Sequence, residues 1–193
     1  MFQVRFHGRG GQGVVTAAEL LAEAAFTEGR HAQAFPSFGS ERMGAPVMSF
    51  CRIDDKPIRT HEPVTEPDAL IIQDPTLLHQ ADLFAGLSRD GYLLINSTRG
   101  LGELGLDEFV REFRAERLRV VPASELALTH LGRPLPGAPL LGGFAALTGM
   151  VSLDSVVAAI NGKFSGPVAE GNAKAARAAF DFITSERKAL TDA

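Results

Sequence analysis

Apolar and polar positions alternate in short bursts along the first half of the chain, and then settle into helical spacing. Phe2–Phe6 (FQVRF) alternates and ends at a glycine cluster, which predicts a first strand. From Val14 the spacing changes: Val14, Ala18, Leu21 and Ala25 share one helical face, Glu19, Glu23 and Glu28 lie elsewhere, and Gly29 supplies the stop. His31–Phe35 reads as a second strand, broken by Pro36. The stretch Pro36–Pro46 is a polar loop rich in glycine and proline. Val47–Ile53 alternates again, the run Asp54-Asp55-Lys56 is a turn, and Pro57–Thr60 is the expected return strand of a β-hairpin.

Beyond the hairpin the runs become continuously apolar. Asp68–Gln73 and Gly91–Asn96 fit strands buried on both faces, and Arg119–Pro122 reads as a further strand. Helices are expected between them: Thr76–Leu87, capped by Asp74 or Thr76, and Leu106–Glu116, with Leu106, Phe109, Val110 and Phe113 inward. Ala123–Leu131 follows, with Ser124 as its expected cap. A connection over Gly132–Pro139 leads to the small-residue helix Leu140–Met150. Ser152–Asn161 has Ser152 or Asp154 to cap it, and a helical tail covers Val168–Leu190. Strands alternating with helices predict an α/β fold of three layers, α/β/α, with a mostly parallel sheet and an antiparallel hairpin insertion. No linker is long enough to separate two cores, so a single domain over residues 1–193 is expected.

Composition narrows the function. The chain has 193 residues with a net charge of −4, so broad electrostatic binding to nucleic acid or an anionic membrane is not expected. No apolar run is long enough to span a bilayer, and the N-terminus lacks a secretory pattern. Cys51 is the single cysteine. One cysteine makes no internal disulfide and cannot by itself hold a four-cysteine iron–sulfur cluster, and a reducing cytoplasm fits it. The five histidines show no metal-ligand spacing, so no metal site is expected in this chain, nor any catalytic residue.

The chemistry that remains is anion binding. Gly8-Arg9-Gly10-Gly11-Gln12-Gly13 fits G-x-G-x-x-G between a predicted strand and a predicted helix. There the glycines permit a tight turn and close approach, and the helix start favours an anion. A dinucleotide site would need an acid near the end of the second strand, and His31–Pro36 contains none. A Walker loop would need Gly-Lys-Ser/Thr, and Val14-Val15 follow Gly13. The second candidate is the loop after the second strand, where Ser37, Phe38, Ser40 and Arg42 should emerge at the same sheet end. Arg9 and Arg42 could together grip a phosphate or carboxylate. Glycine turns chosen for packing alone are the plainer alternative. A stand-alone nucleotide-binding reductase and a purely structural assembly module are the functional ones.

Taken together, Gly8–Gly29 (GRGGQGVVTAAELLAEAAFTEG), Gln33–Val47 (QAFPSFGSERMGAPV), Gln73–Leu78 (QDPTLL), Gly142–Gly149 (GGFAALTG) and Glu170–Ala175 (EGNAKA) carry a more specific signal. They resemble the gamma subunit of the 2-oxoacid:ferredoxin (acceptor) oxidoreductases, of which pyruvate:ferredoxin oxidoreductase is the best known. The likeness covers nearly the whole chain and is weakest over Arg99–Pro139. One position departs: the family often has a second arginine where this chain has Met43.

The resemblance implies a multisubunit enzyme that converts a 2-oxoacid and coenzyme A to an acyl-CoA and CO2. Thiamine diphosphate with Mg, and [4Fe-4S] clusters, would be held by alpha, beta and delta-type partner subunits. Ferredoxin, flavodoxin or NAD(H) would take the electrons through other chains. This chain would bind no cofactor alone, would pack beside the thiamine-bearing pair, and could line coenzyme A access with Gly8, Arg9, Gly10, Gly11, Gln12, Gly13, Ser37, Phe38, Ser40 and Arg42.

Overall fold

A computed structural model describes residues 1–37, 42–80 and 82–191. Six strands form one sheet: β1 (Phe2–Arg9), β2 (His31–Pro36), β3 (Pro46–Asp54), β4 (Ala69–Ile72), β5 (Tyr92–Asn96) and β6 (Leu118–Val121). Their spatial order is β2-β3-β1-β4-β5-β6. The run β1-β4-β5-β6 is parallel, and β3 is antiparallel to both its neighbours. The helices are α1 (Val14–Thr27), α2 (Asp107–Val110), α3 (Ala123–Leu131), α4 (Gly137–Thr148), α5 (Leu153–Lys163) and α6 (Gly166–Thr191).

The antiparallel insertion is present, but its partner differs from the expected one. β3 does not turn back onto Pro57–Thr60, which is irregular. Instead Val4 faces Cys51 on one side, and Ala34 faces Cys51 on the other. Both backbone edges of β3 are thereby used, and none is left for a return strand.

One face of the sheet is covered by α1, α3, α4, α5 and α6. Its core runs through Val4, Phe6, Ile71 and Leu94 of the sheet to Leu21, Phe144, Ile160 and Ile183 of the helices. The spacing read for α1 holds, since Val14, Ala18, Leu21 and Ala25 are all buried. α4 is buried nearly all round and lies very close to α6: a Cβ on Gly142 would sit 1.9 Å from the Ala176 carbonyl oxygen. Ser152 caps α5 as expected, its hydroxyl accepting from the Ser155 N–H at 3.1 Å.

The other face carries Leu70, Ile72, Leu93, Ile95 and Leu118 under a thinner cover. The expected helix over Thr76–Leu87 is only a 3-10 turn, Pro75–His79, and Leu106–Glu116 shortens to α2 followed by turns. Carbonyls in this cover go instead to a buried arginine: Arg5 donates to the Val64, Leu83 and Ala85 oxygens at 3.2, 3.1 and 2.7 Å. Among the described residues no helix is long and apolar enough to cross a membrane.

Candidate functional site

The parallel strands end on one edge, and the groups with chemistry collect there. β1 delivers the glycine loop, β4 delivers Gln73 and Asp74, and β5 delivers Asn96. Two of the glycines have left-handed backbone, Gly11 at φ 91° and Gly13 at φ 71°, which other residues adopt only at a cost. Gly13 is the first residue before α1 and offers no side-chain cap, so the amides at the start of α1 stay open to an anion.

Arg9 and Gln12 tie this loop to β4. The Arg9 N–H donates to the Gln12 Oε1 at 2.8 Å, and Gln12 donates onward to the Asp74 carboxylate at 2.8 Å. The Arg9 guanidinium lies 3.2 Å from Asp74 and donates to the Thr76 hydroxyl and the Gly44 carbonyl. Three of its five N–H groups are thereby committed, and among the described residues the other two have no partner. Burial alone would raise the Asp74 carboxyl pKa. Hydrogen bonds from Thr76 and Gln12, with the Arg9 charge, outweigh it and hold the group below the usual carboxylate value. Asp74 also caps the 3-10 turn, accepting from the Thr76 N–H at 2.9 Å.

The segment before β3 folds back over the loop. The Gly10 N–H donates to the Ala45 carbonyl at 2.8 Å, and the Gly44 N–H donates to the Gly10 carbonyl at 3.0 Å. Gly10 is required by this approach, because a Cβ there would lie 2.2 Å from the Arg42 carbonyl oxygen. Arg42 and Met43 are exposed on the crest of the segment, with the Met43 sulfur over Gly11.

Of the residues read from sequence, the structure brings Gly8, Arg9, Gly10, Gly11, Gln12, Gly13 and Arg42 to one place. It does not bring Ser37 there: its N–H extends the β2–β3 ladder to the Met48 carbonyl. Phe38 and Ser40 lie outside the described residues. Two small hollows flank the loop. One of about 190 Å³ is lined by Arg9, Gly10, Gly13, Val15 and Val47, and a cleft of about 490 Å³ opens on the far side of α1.

Sequence reading missed two residues of this edge. Asn96 reaches across from β5, donating to the Gln73 carbonyl at 2.8 Å and accepting from the Ser124 N–H at 3.1 Å. It therefore does the capping assigned to Ser124, whose hydroxyl accepts from Asn96. Gln73 is the other, and is 1% exposed. The signal for both was a polar residue closing an apolar strand, in LIIQ and LLIN.

Cys51 is fully buried in the helical-face core, and burial pushes its thiol pKa far up, so it does not offer a thiolate. Among the described residues no three His, Cys, Asp or Glu side chains are grouped to hold a metal ion.

Comparison with known proteins agrees with this fold. Residues 3–182 match the family model described as pyruvate ferredoxin/flavodoxin oxidoreductase. The chain is 49% identical over 94% of its length to the pyruvate/ketoisovalerate oxidoreductases common subunit gamma of Pyrococcus abyssi, 96% of which is covered. It is 45% identical to the pyruvate synthase subunit PorC of Methanothermobacter marburgensis, with 94% of this chain and 97% of that one covered. The pyruvate oxidoreductase subunit PORC of Thermotoga maritima superposes with a TM-score of 0.77 at 37% identity, covering 93% of this chain and 95% of that one. The chain therefore belongs to the pyruvate ferredoxin/flavodoxin oxidoreductase family, as a gamma-type subunit.

Proposed function

We propose that this chain packs beside the thiamine-bearing subunits of a cytoplasmic 2-oxoacid:acceptor oxidoreductase and presents its glycine loop to coenzyme A. Thiamine diphosphate and iron–sulfur clusters, held by alpha, beta and delta-type partners, supply the decarboxylation and electron transfer. Its own part is to bind and to exclude water. The observation that carries the reading is the hollow beside the open start of α1, walled by Arg9 and overhung by the Arg42–Ala45 segment. Backbone amides at a helix start and guanidinium N–H groups suit the phosphates of coenzyme A. A wall brought up by a neighbouring subunit also keeps water from the reacting centre.

The name of the Pyrococcus abyssi relative assigns it to both pyruvate and ketoisovalerate oxidoreductases. By the same logic, the choice of oxoacid here falls to the partner subunits. The test is steady-state kinetics of the assembled enzyme carrying Arg42→Ala, with Arg9→Ala as a second variant. Arg42 is exposed, so its loss leaves the fold intact. The Michaelis constant for coenzyme A should rise about tenfold, the usual scale for one charged hydrogen bond, with that for the oxoacid unchanged. An equal rise in both, or none, overturns the reading.

A further inference from the structure

The overhanging segment carries a side chain that the anion hollow does not use. Met43 is 87% exposed, the most open of the four methionines. Its sulfur nevertheless rests on the glycine loop, 2.5 Å from the point where a Cβ on Gly11 would sit. The backbone keeps it there. Gly10 and Met43 form a parallel bridge, and the Gly10–Ala45 and Gly44–Gly10 hydrogen bonds fasten the residues that follow. Met150 differs: it is half-buried, and its sulfur accepts from the Arg30 Nη1 at 2.9 Å.

Beneath the Met43 sulfur lie donors in search of an acceptor. Among the described residues nothing accepts from the Gly11 N–H. α1 begins three residues later without a side-chain cap, so the N–H groups of Val14, Val15 and Thr16 have no intrahelical acceptor. A thioether is only a weak acceptor and leaves them open. Oxidation changes that, because a sulfoxide carries a polar oxygen one bond beyond the sulfur.

We infer that Met43 is a site of reversible oxidation, and that its sulfoxide occupies the glycine loop in place of an anion. The oxidant is a peroxide. The sulfur gives a lone pair to one peroxide oxygen, the O–O bond breaks, an S–O bond forms and water leaves. Sulfur loses two electrons and hydrogen peroxide gains them. The new oxygen accepts from the Gly11 N–H and faces the start of α1. Methionine sulfoxide reductases reverse the step: the oxygen leaves as water while a dithiol becomes a disulfide. The consequence for coenzyme A rests on the function proposed above. The same N–H groups cannot serve the sulfoxide and the phosphates together, so oxidation weakens coenzyme A binding and reduction restores it.

The experiment oxidises the full-length chain with hydrogen peroxide, removes the oxidant, and assembles the chain with untreated partner subunits. Peptide mass should show one added oxygen on Met43. Amide NMR of the treated chain should show the Gly11 and Val14 N–H signals moved, and moved back by the two methionine sulfoxide reductases. In the assembled enzyme the Michaelis constant for coenzyme A should rise about three- to tenfold, the scale of one neutral hydrogen bond, with that for the oxoacid unchanged. Met43→Leu should remove the response to peroxide, and Met43→Gln should imitate it without peroxide. Met43 is exposed, so both variants fold. An unoxidised Met43, unmoved Gly11 and Val14 amides, or the same response in Met43→Leu overturns the inference. So does an unchanged constant for coenzyme A in an enzyme where Arg42→Ala raises it. If Arg42→Ala has no effect, the coenzyme A reading falls, and the mass and amide shifts still decide whether Met43 sulfoxide occupies the loop.

Discussion

The two faces of the sheet solve the same problem by different means. On the helical face, α1, α4, α5 and α6 satisfy their own backbone hydrogen bonds. The sheet there needs only apolar and small residues, and Gly142 and Ala176 bring two helices almost into backbone contact. On the opposite face the cover is a set of turns, whose carbonyls have no regular partners and cannot be left buried and unpaired. Arg5 supplies the missing donors to three of them, and Arg52 donates to the Glu62 carbonyl and to Gln3. Arginine suits the task because one side chain carries five N–H groups in a fixed fork. A regular layer is held by shape, and an irregular layer is held by a few guanidinium groups.

The largest test of this contrast is Arg5→Met. It keeps the volume and strips the donors from Val64, Leu83 and Ala85 together. Urea denaturation should show a loss of about 3–5 kcal/mol, the range for breaking a buried charged network. A loss below about 1 kcal/mol would mean that the turns stand without the arginine. Next comes Gly142→Ala on the helical face, where the new methyl meets the Ala176 carbonyl. Forcing α4 and α6 apart should cost about 1–3 kcal/mol. A neutral outcome would show that shape is not what holds this side.

The smallest effect near neutral pH belongs to His7. Its Nε2 accepts from the Arg5 Nε at 3.0 Å. Burial first, and the Arg5 charge second, push its pKa down from the ordinary 6.5 to about 3. The folded chain therefore keeps His7 neutral where the unfolded chain takes up a proton. The stability that His7 contributes is complete above 6.5 and drains away as pH falls toward 3, by at most about 1.4 kcal/mol per pH unit. Urea midpoints measured from about pH 7.5 down to about pH 4.5 should fall more steeply for the native chain than for His7→Gln. Identical slopes would place the acid sensitivity elsewhere.

The helical face was legible because its rule is periodic. Val14, Ala18, Leu21 and Ala25 announce α1 by spacing alone, and Leu140–Met150 announces burial by small size. The turn-covered face was not legible, since Leu77 and Phe84, and Leu83 and Leu87, stand at helix-like spacing although only the 3-10 turn Pro75–His79 forms there. What interrupts it is long-range: a Cβ on Gly86 would lie 1.8 Å from the Thr65 carbonyl, and the Leu83 and Ala85 carbonyls are drawn to Arg5. No local pattern encodes a partner almost eighty residues away. The site divides in the same way. The glycine loop is a contiguous string with a known mechanical meaning, whereas Gln73 and Asn96 matter only because parallel strands end side by side. The hairpin expected after β3 failed because turn chemistry at Asp54-Asp55-Lys56 says where a strand stops, not which strands flank it.

The placement of β3 also sets an order of events during synthesis. β1 leaves the ribosome before both of the strands it pairs with: Phe2 waits for Ile53, and Phe6 waits for Ile71. The β2–β3 pair, joined through a short segment, can close before either. An early-made strand is thus among the last to be enclosed, and the glycine loop at its end takes shape only when the downstream strands lock around it.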